Sequence, residues 1–241
     1  MADTRPALSI EAIVFDKDGT LFDFAATWET FARNFVLRVA GEDSERAGSL
    51  GRLIGFDMAV NRFLPGSIVV AGTPGEIADV MIDQVPEMSH GELVTLMNDE
   101  AARVPQAEAV PLGPFLDSLR YMGLRLGVAT NDAEAPALAH LTSAGIHDRF
   151  DFVAGSDSGH GYKPGPGQLL AFAGAVDIDP RRIAMVGDST HDLAAGRAAG
   201  MITIGVLTGL ALYDELSDLA DVVLPDIGHI PSWLNGEHPE G

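Results

Sequence analysis

Apolar and polar positions divide the chain into two kinds of segment. Near the start, "EAIVFD" at 11–16 is a short apolar run ending on a carboxylate, with Gly19 and Thr20 just beyond. That is the pattern of a buried strand running into a turn. From Phe24 the period changes. Phe24, Trp28, Phe31, Phe35 and Val39 recur every three or four residues, which predicts an amphipathic helix over 24–39. Residues 44–64 read as helical, interrupted at Gly51 and Gly55. "TPGE" at 73–76 and "SHGE" at 89–92 each place a hydroxyl at the N-cap and a glutamate three residues on, and Pro74 takes the first helical position. Residues 24–108 are therefore expected to be nearly all helical.

After "VPLG" at 110–113 short apolar runs alternate with helical patterns. "PFLDSLRYMG" is a helix ending at Gly123, and "LRLGVATND" is a strand running into polar residues at 130–132. A helix follows at about 134–144, then "FDFVAGSD" as a strand and a helix over 165–176. "RIAMVGDS" is a strand ending at Asp188, "DLAAGRAAG" a helix stopped by Gly200, and "MITIGVL" and "DVVL" are further strands. Such alternation predicts an α/β fold with a doubly wound parallel sheet. The expected division is a catalytic core of 1–23 and 109–241, with an all-helical cap of 24–108 inserted after the first strand. The tail "NGEHPEG" is expected to fray.

Composition sharpens this picture. With 46% apolar residues in 241, the chain can build a sizeable core. It has no cysteine, hence no disulfide, thiolate metal site or thiol nucleophile, which suits a reducing cytoplasm. The N-terminus lacks a signal-peptide pattern, and no apolar run approaches the length of a membrane span. The formal charge is −20, from 35 acidic against 15 basic residues. Such a surface repels nucleic acid and anionic lipid. An anionic substrate would need a local source of positive charge, and a divalent cation is the economical one.

Ligands of open parallel sheets collect beyond the carboxyl ends of the strands. There the sequence places Asp16 and Asp18, then Thr130 and Asn131, then Lys163 in "GYKPGPG", then Asp188 and Asp192. Asp16 and Asp18 before Gly19 would alone suit a turn. With the other carboxylates and Lys163 they form a set of hard oxygen ligands and one cation. Asp16, the Asp18 carbonyl and Asp188 suit Mg²⁺, while Lys163, the Thr130 hydroxyl and backbone amides suit a phosphoryl group.

The segments "DKDGT", "TND", "YKPGP" and "GDSTHD", in that order, resemble the four motifs of the haloacid dehalogenase superfamily of aspartate-nucleophile phosphatases. The likeness spans about 11–23 and 110–224 and is nearest the phosphoglycolate phosphatase type, with its helical cap. It implies Asp16 as nucleophile and Asp18 as the acid, then base, of a two-step hydrolysis. It also implies Thr130, Asn131 and Lys163 as phosphoryl-binding residues. Asp188 would ligate Mg²⁺, and Asp192 would bind it through water or position Lys163. A retained Asp18 argues against a dehalogenase, which needs no acid to expel halide.

Two positions depart from the family pattern. Phe24 follows Asp23 where serine is usual, and Lys17 replaces an apolar residue. Strand alternation turns Lys17 away from the site, which would make it incidental. His140, His147 and His160 are expected to be structural or solvent-facing, whereas Trp28 could reach the cleft. Arg33, Arg52 and Arg62 are exposed-type residues that could also pair with a substrate carboxylate. The expectation is a Mg²⁺-dependent phosphatase of a small phosphorylated metabolite, phosphoglycolate first among them, acting as monomer or homodimer. A sugar phosphomutase of the same fold and a non-catalytic metal-binding regulator are the alternatives.

Overall fold

The computed structural model of the protein describes residues 10–236. The expectation of no signal peptide, and most of that for the tail, fall outside these residues.

A six-stranded, wholly parallel sheet forms the centre, in the order β5-β4-β1-β6-β7-β8. Its strands are β1 (Ala12–Phe15), β4 (Arg125–Ala129), β5 (Phe152–Ala154), β6 (Ile183–Gly187), β7 (Ile202–Val206) and β8 (Val222–Leu224). Alternation within β1 feeds two cores. Ile13 and Phe15 pack with Leu112, Leu116 and Leu141, from α5 (Leu112–Tyr121) and α6 (Glu134–Ser143). Ala12 and Val14 pack on the opposite face with Phe172 and Ala195, from α7 (Gly167–Val176) and α8 (Thr190–Ala199). Both faces are covered, as a parallel sheet requires. The expected α/β class is the observed one. The short helices α9 (Tyr213–Ser217) and α10 (Ile230–Leu234) complete the order.

Between β1 and α5 the chain builds α1 (Phe24–Val39), α2 (Ser44–Leu53), α3 (Pro74–Met81) and α4 (His90–Ala101). These share a separate apolar cluster centred on Phe31, Phe35, Leu50, Met81 and Leu93. Phe31 and Phe35, one helical turn apart, stack with ring centroids 5.6 Å apart. Each such side chain fully buried contributes about 1.5–3 kcal/mol to the packing of this unit. Both sequence-predicted capping boxes form, Thr73 with Glu76 and Ser89 with Glu92.

The expectation of an all-helical segment needs one correction. Residues 44–64 are not continuous helix: after α2 the chain forms a small antiparallel hairpin, β2 (Phe56–Asp57) with β3 (Arg62–Phe63). Gly55 turns left-handed at φ 70° and sits against Ser67, while Phe56 and Phe63 meet edge to face across the hairpin. An apolar pair on one face of a strand pair replaced the helical period there.

The two connections to the core run side by side. Asp23 N donates to the Ala107 carbonyl and Ala109 N to that of Leu21. The inserted unit therefore rests over the carboxyl ends of the strands rather than beside the sheet.

Candidate active site

β1 lies between β4 and β6, where the strand order reverses direction, so the loops leaving all three strands open onto one crevice. Asp16 begins the loop after β1, its N–H held by the Val186 carbonyl on β6 at 2.8 Å. Thr130 and Asn131 follow β4, Asp188 follows β6, and Lys163 precedes α7. Asp192 is the N3 residue of α8, forming a capping box with Ser189.

These groups converge. Lys163 Nζ lies 2.6 Å from Asp16 Oδ1 and 2.5 Å from Asp192 Oδ1, all three side chains buried. The second oxygen of Asp192 accepts from the Ser189 N–H and hydroxyl, at 3.0 and 2.7 Å, which fixes the carboxylate facing Lys163. Burial pushes the Asp16 carboxyl up to about 7, with Lys163 pulling the other way. Burial also works against the Lys163 ammonium, but Asp16 and Asp192 outweigh it and hold its pKa above the ordinary lysine value.

Asn131 is spent on positioning. Its side chain accepts from the Lys163 N–H at 2.9 Å, donates to the Lys163 carbonyl at 2.8 Å and donates to the Ala71 carbonyl of the inserted unit at 2.7 Å. The Thr130 hydroxyl accepts from the Asp132 N–H at 3.1 Å, leaving its own proton for a ligand. Neither residue caps the next helix, whose N-cap is Ala133.

One carboxylate oxygen from each of Asp16, Asp188 and Asp192 lies within 4.8 Å of the others, all three residues buried. Asp188 bonds no cation among the described residues; its donor is the Thr20 hydroxyl, 3.4 Å away. Burial, then Asp192 and Asp16, push its carboxyl well above the ordinary value. A buried acid with like charges around it and no salt-bridge cation among the described residues fits a divalent cation. Two glycines shape this position. A Cβ on Gly19, which is left-handed at φ 82°, would meet the Asp188 carboxylate at 2.5 Å, and one on Gly209 would meet it at 1.7 Å. Asp18 does not join the carboxylate cluster by its side chain, which faces Lys17 at 2.7 Å.

A cleft spans these loops and the inserted helices. Its cap-side wall is uncharged, led by Phe24, Trp28, Val69, Ile77 and Met97. Trp28 thus reaches the cleft. Arg33, Arg52 and Arg62 are all exposed and line none of it.

The expectation that Lys17 is incidental is overturned. Alternation does turn it from the Asp16 side, but into a fully buried position against Asp18, Asp132 and His140. Strand periodicity says which face a side chain takes, not what waits there. Sequence reasoning also missed Gly209, Asp132 and the buried bridging role of His140. Asp132 lay within a quoted motif, but nothing local marked Gly209.

Comparison with known proteins bears on the family and the fold. A model of the haloacid dehalogenase-like hydrolases matches residues 10–200. The chain belongs to that family. It is 33% identical over 226 residues to a phosphoglycolate phosphatase of Nitrosospira multiformis, covering 91% of this chain and 93% of that one. A phosphoglycolate phosphatase of Escherichia coli is 29% identical, with 96% and 95% covered. Among solved structures, a predicted phosphoglycolate phosphatase from Haemophilus somnus superposes with a TM-score of 0.73 at 17% identity, covering 93% and 98%. A β-phosphoglucomutase from Clostridium difficile does so with a TM-score of 0.60 at 20% identity, covering 94% and 98%. At such identities these structures speak for the fold alone. Within its family this chain is of the phosphoric monoester hydrolase kind.

Proposed function

We propose that the protein is a Mg²⁺-dependent phosphatase that cleaves small phosphomonoesters through an aspartyl-phosphate on Asp16. The observation that carries this reading is the buried Asp16 carboxylate, set 2.6 Å from Lys163 and within 4.8 Å of Asp188 and Asp192 at the floor of a capped cleft. Bound at those carboxylates and the Asp18 carbonyl, Mg²⁺ would offset the negative charge of Asp16 and of the phosphoryl oxygens.

Asp16 attacks phosphorus in line, forming its bond as the ester P–O bond breaks. Asp18 gives its proton to the departing oxygen, which leaves as an alcohol. Asp18 then takes a proton from water as that water attacks phosphorus, and the Asp16–phosphorus bond breaks to release phosphate. Both aspartates end as they began. Lys163 and the Thr130 hydroxyl hold phosphoryl oxygens, while Asn131 and Asp192 hold Lys163. The inserted helices, tied down by the Asn131–Ala71 bond, exclude bulk water.

Phosphoglycolate is the first substrate to test, because the similar proteins carry its name. The uncharged cap wall favours a second reading, in which a neutral leaving group of similar size competes with or exceeds glycolate, since among the described residues that line the cleft the cap supplies no cation. The chain's charge of −20 and its lack of cysteine support a cytoplasmic protein without nucleic-acid partners.

The experiment is a phosphate-release panel with Mg²⁺ that includes 2-phosphoglycolate, glycerol phosphate and hexose phosphates. Phosphate release abolished by Asp16→Asn supports the reading. Isomerised hexose phosphate without net phosphate would instead identify a mutase. Full activity in Asp16→Asn removes the nucleophile.

A further inference from the structure

Lys17 stands between the two carboxylates of the opening motif, and none of its side chain reaches solvent. Its ammonium lies 2.7 Å from Asp18 Oδ1, 3.0 Å from His140 Nδ1 and 3.3 Å from Asp132 Oδ2. It also sits 5.5 Å from the centroid of the Trp28 ring, on α1. Neutralising a stray lysine takes one carboxylate. Here two carboxylates, an imidazole and an aromatic face converge on it from separate elements.

The chemistry of the donors gives the contacts a direction. An ammonium has only donors, so His140 accepts at Nδ1 and carries its proton on Nε2. That nitrogen lies 2.7 Å from the carbonyl of Ala101, the last residue of α4. A buried path therefore runs from a cap backbone carbonyl through an imidazole and an ammonium to the carboxylate of Asp18. Burial, then the Lys17 charge, hold the His140 pKa down to about 4, in keeping with a neutral ring. Asp18 itself lines the cleft, and with Oδ1 tied to Lys17 its Oδ2 is the oxygen left for a reacting group.

We propose that Lys17 is a positioning residue that fixes the orientation of Asp18 and that, through His140, makes this orientation depend on the seating of the cap. Asp18 is then held ready to hand over its proton only while Ala101 is in place. The proposal rests on the functional reading above, in which Asp18 is the acid. It adds two residues, Lys17 and His140, neither of which lines the cleft.

Two measurements test it. The first compares Lys17→Met, Lys17→Arg and His140→Phe with the wild type on an alkyl phosphate and on p-nitrophenyl phosphate. The alkyl alcohol needs a proton to leave and nitrophenolate scarcely does. General acids contribute about 10²–10⁴-fold. Lys17→Met should therefore lose at least about 10-fold more kcat/KM on the alkyl ester, because that ratio reads the step in which the alcohol leaves and not the later hydrolysis of the aspartyl-phosphate that both esters share. Lys17→Arg should recover part of that loss, and His140→Phe should show the same skew, weaker. Equal losses of kcat/KM on both esters would make Lys17 a merely structural group and overturn the proposal. The second measurement needs no turnover. Amide exchange around residues 98–105 should quicken in folded His140→Phe and Lys17→Met, while α2 is unaffected; unchanged exchange there overturns the link to the cap. Absence of wild-type activity on both esters would strike the functional reading, and the exchange result would still decide the mechanical link.

Discussion

Gly209 offers the sharpest test of the metal site, because a single methyl group should empty it without unfolding the protein. A Cβ there would sit 1.7 Å from Asp188 Oδ2 and 2.3 Å from its Cγ, where ordinary contacts exceed 3 Å. Its room to move is narrow, since a Cβ on Gly19 would also meet the carboxylate at 2.5 Å. Gly209→Ala must therefore displace Asp188 by more than about 1 Å from Asp16 and Asp192, and misplacement of that size costs on the order of 10²-fold. If Mg²⁺ affinity falls by that factor, the stabilisation it confers at 100 times the wild-type Kd falls from about 2.7 kcal/mol to about 0.4 kcal/mol. In a domain of this size 1 kcal/mol shifts Tm by about 2–4 °C, so most of a metal-induced rise of about 5–10 °C should vanish. The metal-free variant should melt near the metal-free wild type, because Asp188 lies outside the apolar clusters that hold the fold. Thermal unfolding of both proteins with and without Mg²⁺ is the assay. A folded Gly209→Ala protein with the full metal-induced rise would refute the convergence of Asp188, Asp16 and Asp192 on one cation.

Two further outcomes follow from groups around the cleft. His140, held at about 4 against an ordinary 6.5, contributes stability that is fully present above pH 6.5 and is lost as pH falls through 4. Between pH 8 and 5 the metal-free wild type should lose about 2 kcal/mol more than His140→Gln in urea unfolding, and parallel profiles would show that the ring is not buried neutral. Asn131→Ala removes both bonds to the Lys163 backbone and the one to Ala71, so kcat should fall about 10²-fold while the metal-induced rise in Tm persists. Loss of metal binding in that variant would place Asn131 nearer the cation than the structure does.

What could be read from the sequence was whatever depends on neighbours along the chain. The helical period of Phe24 to Val39, the two capping boxes and the strand runs ending on Asp16, Thr130 and Asp188 each arise from local backbone geometry. The motif order placed Asp16, Lys163 and Asp188 in loops, and Asp192 in the first turn of the helix that follows, all of which a parallel sheet must gather on one edge. The 55–64 stretch was harder. Its hairpin exists because Phe56 and Phe63 find each other and the cap's apolar cluster, a choice that an interrupted helical pattern does not encode.

Tertiary structure alone decided the contents of the space between those loops. Lys17 is one residue from Asp16, yet its meaning comes from His140, 123 residues away, and from a helix end in the inserted unit. Gly209 matters only because Asp188 folds back onto its Cα. The chain could announce which side chains carry charge and which strand ends they follow, since those are properties of order. Which buried charges face a partner, and which are left for a metal or a phosphoryl group, is set by distances across the fold, and only the packed molecule fixes those.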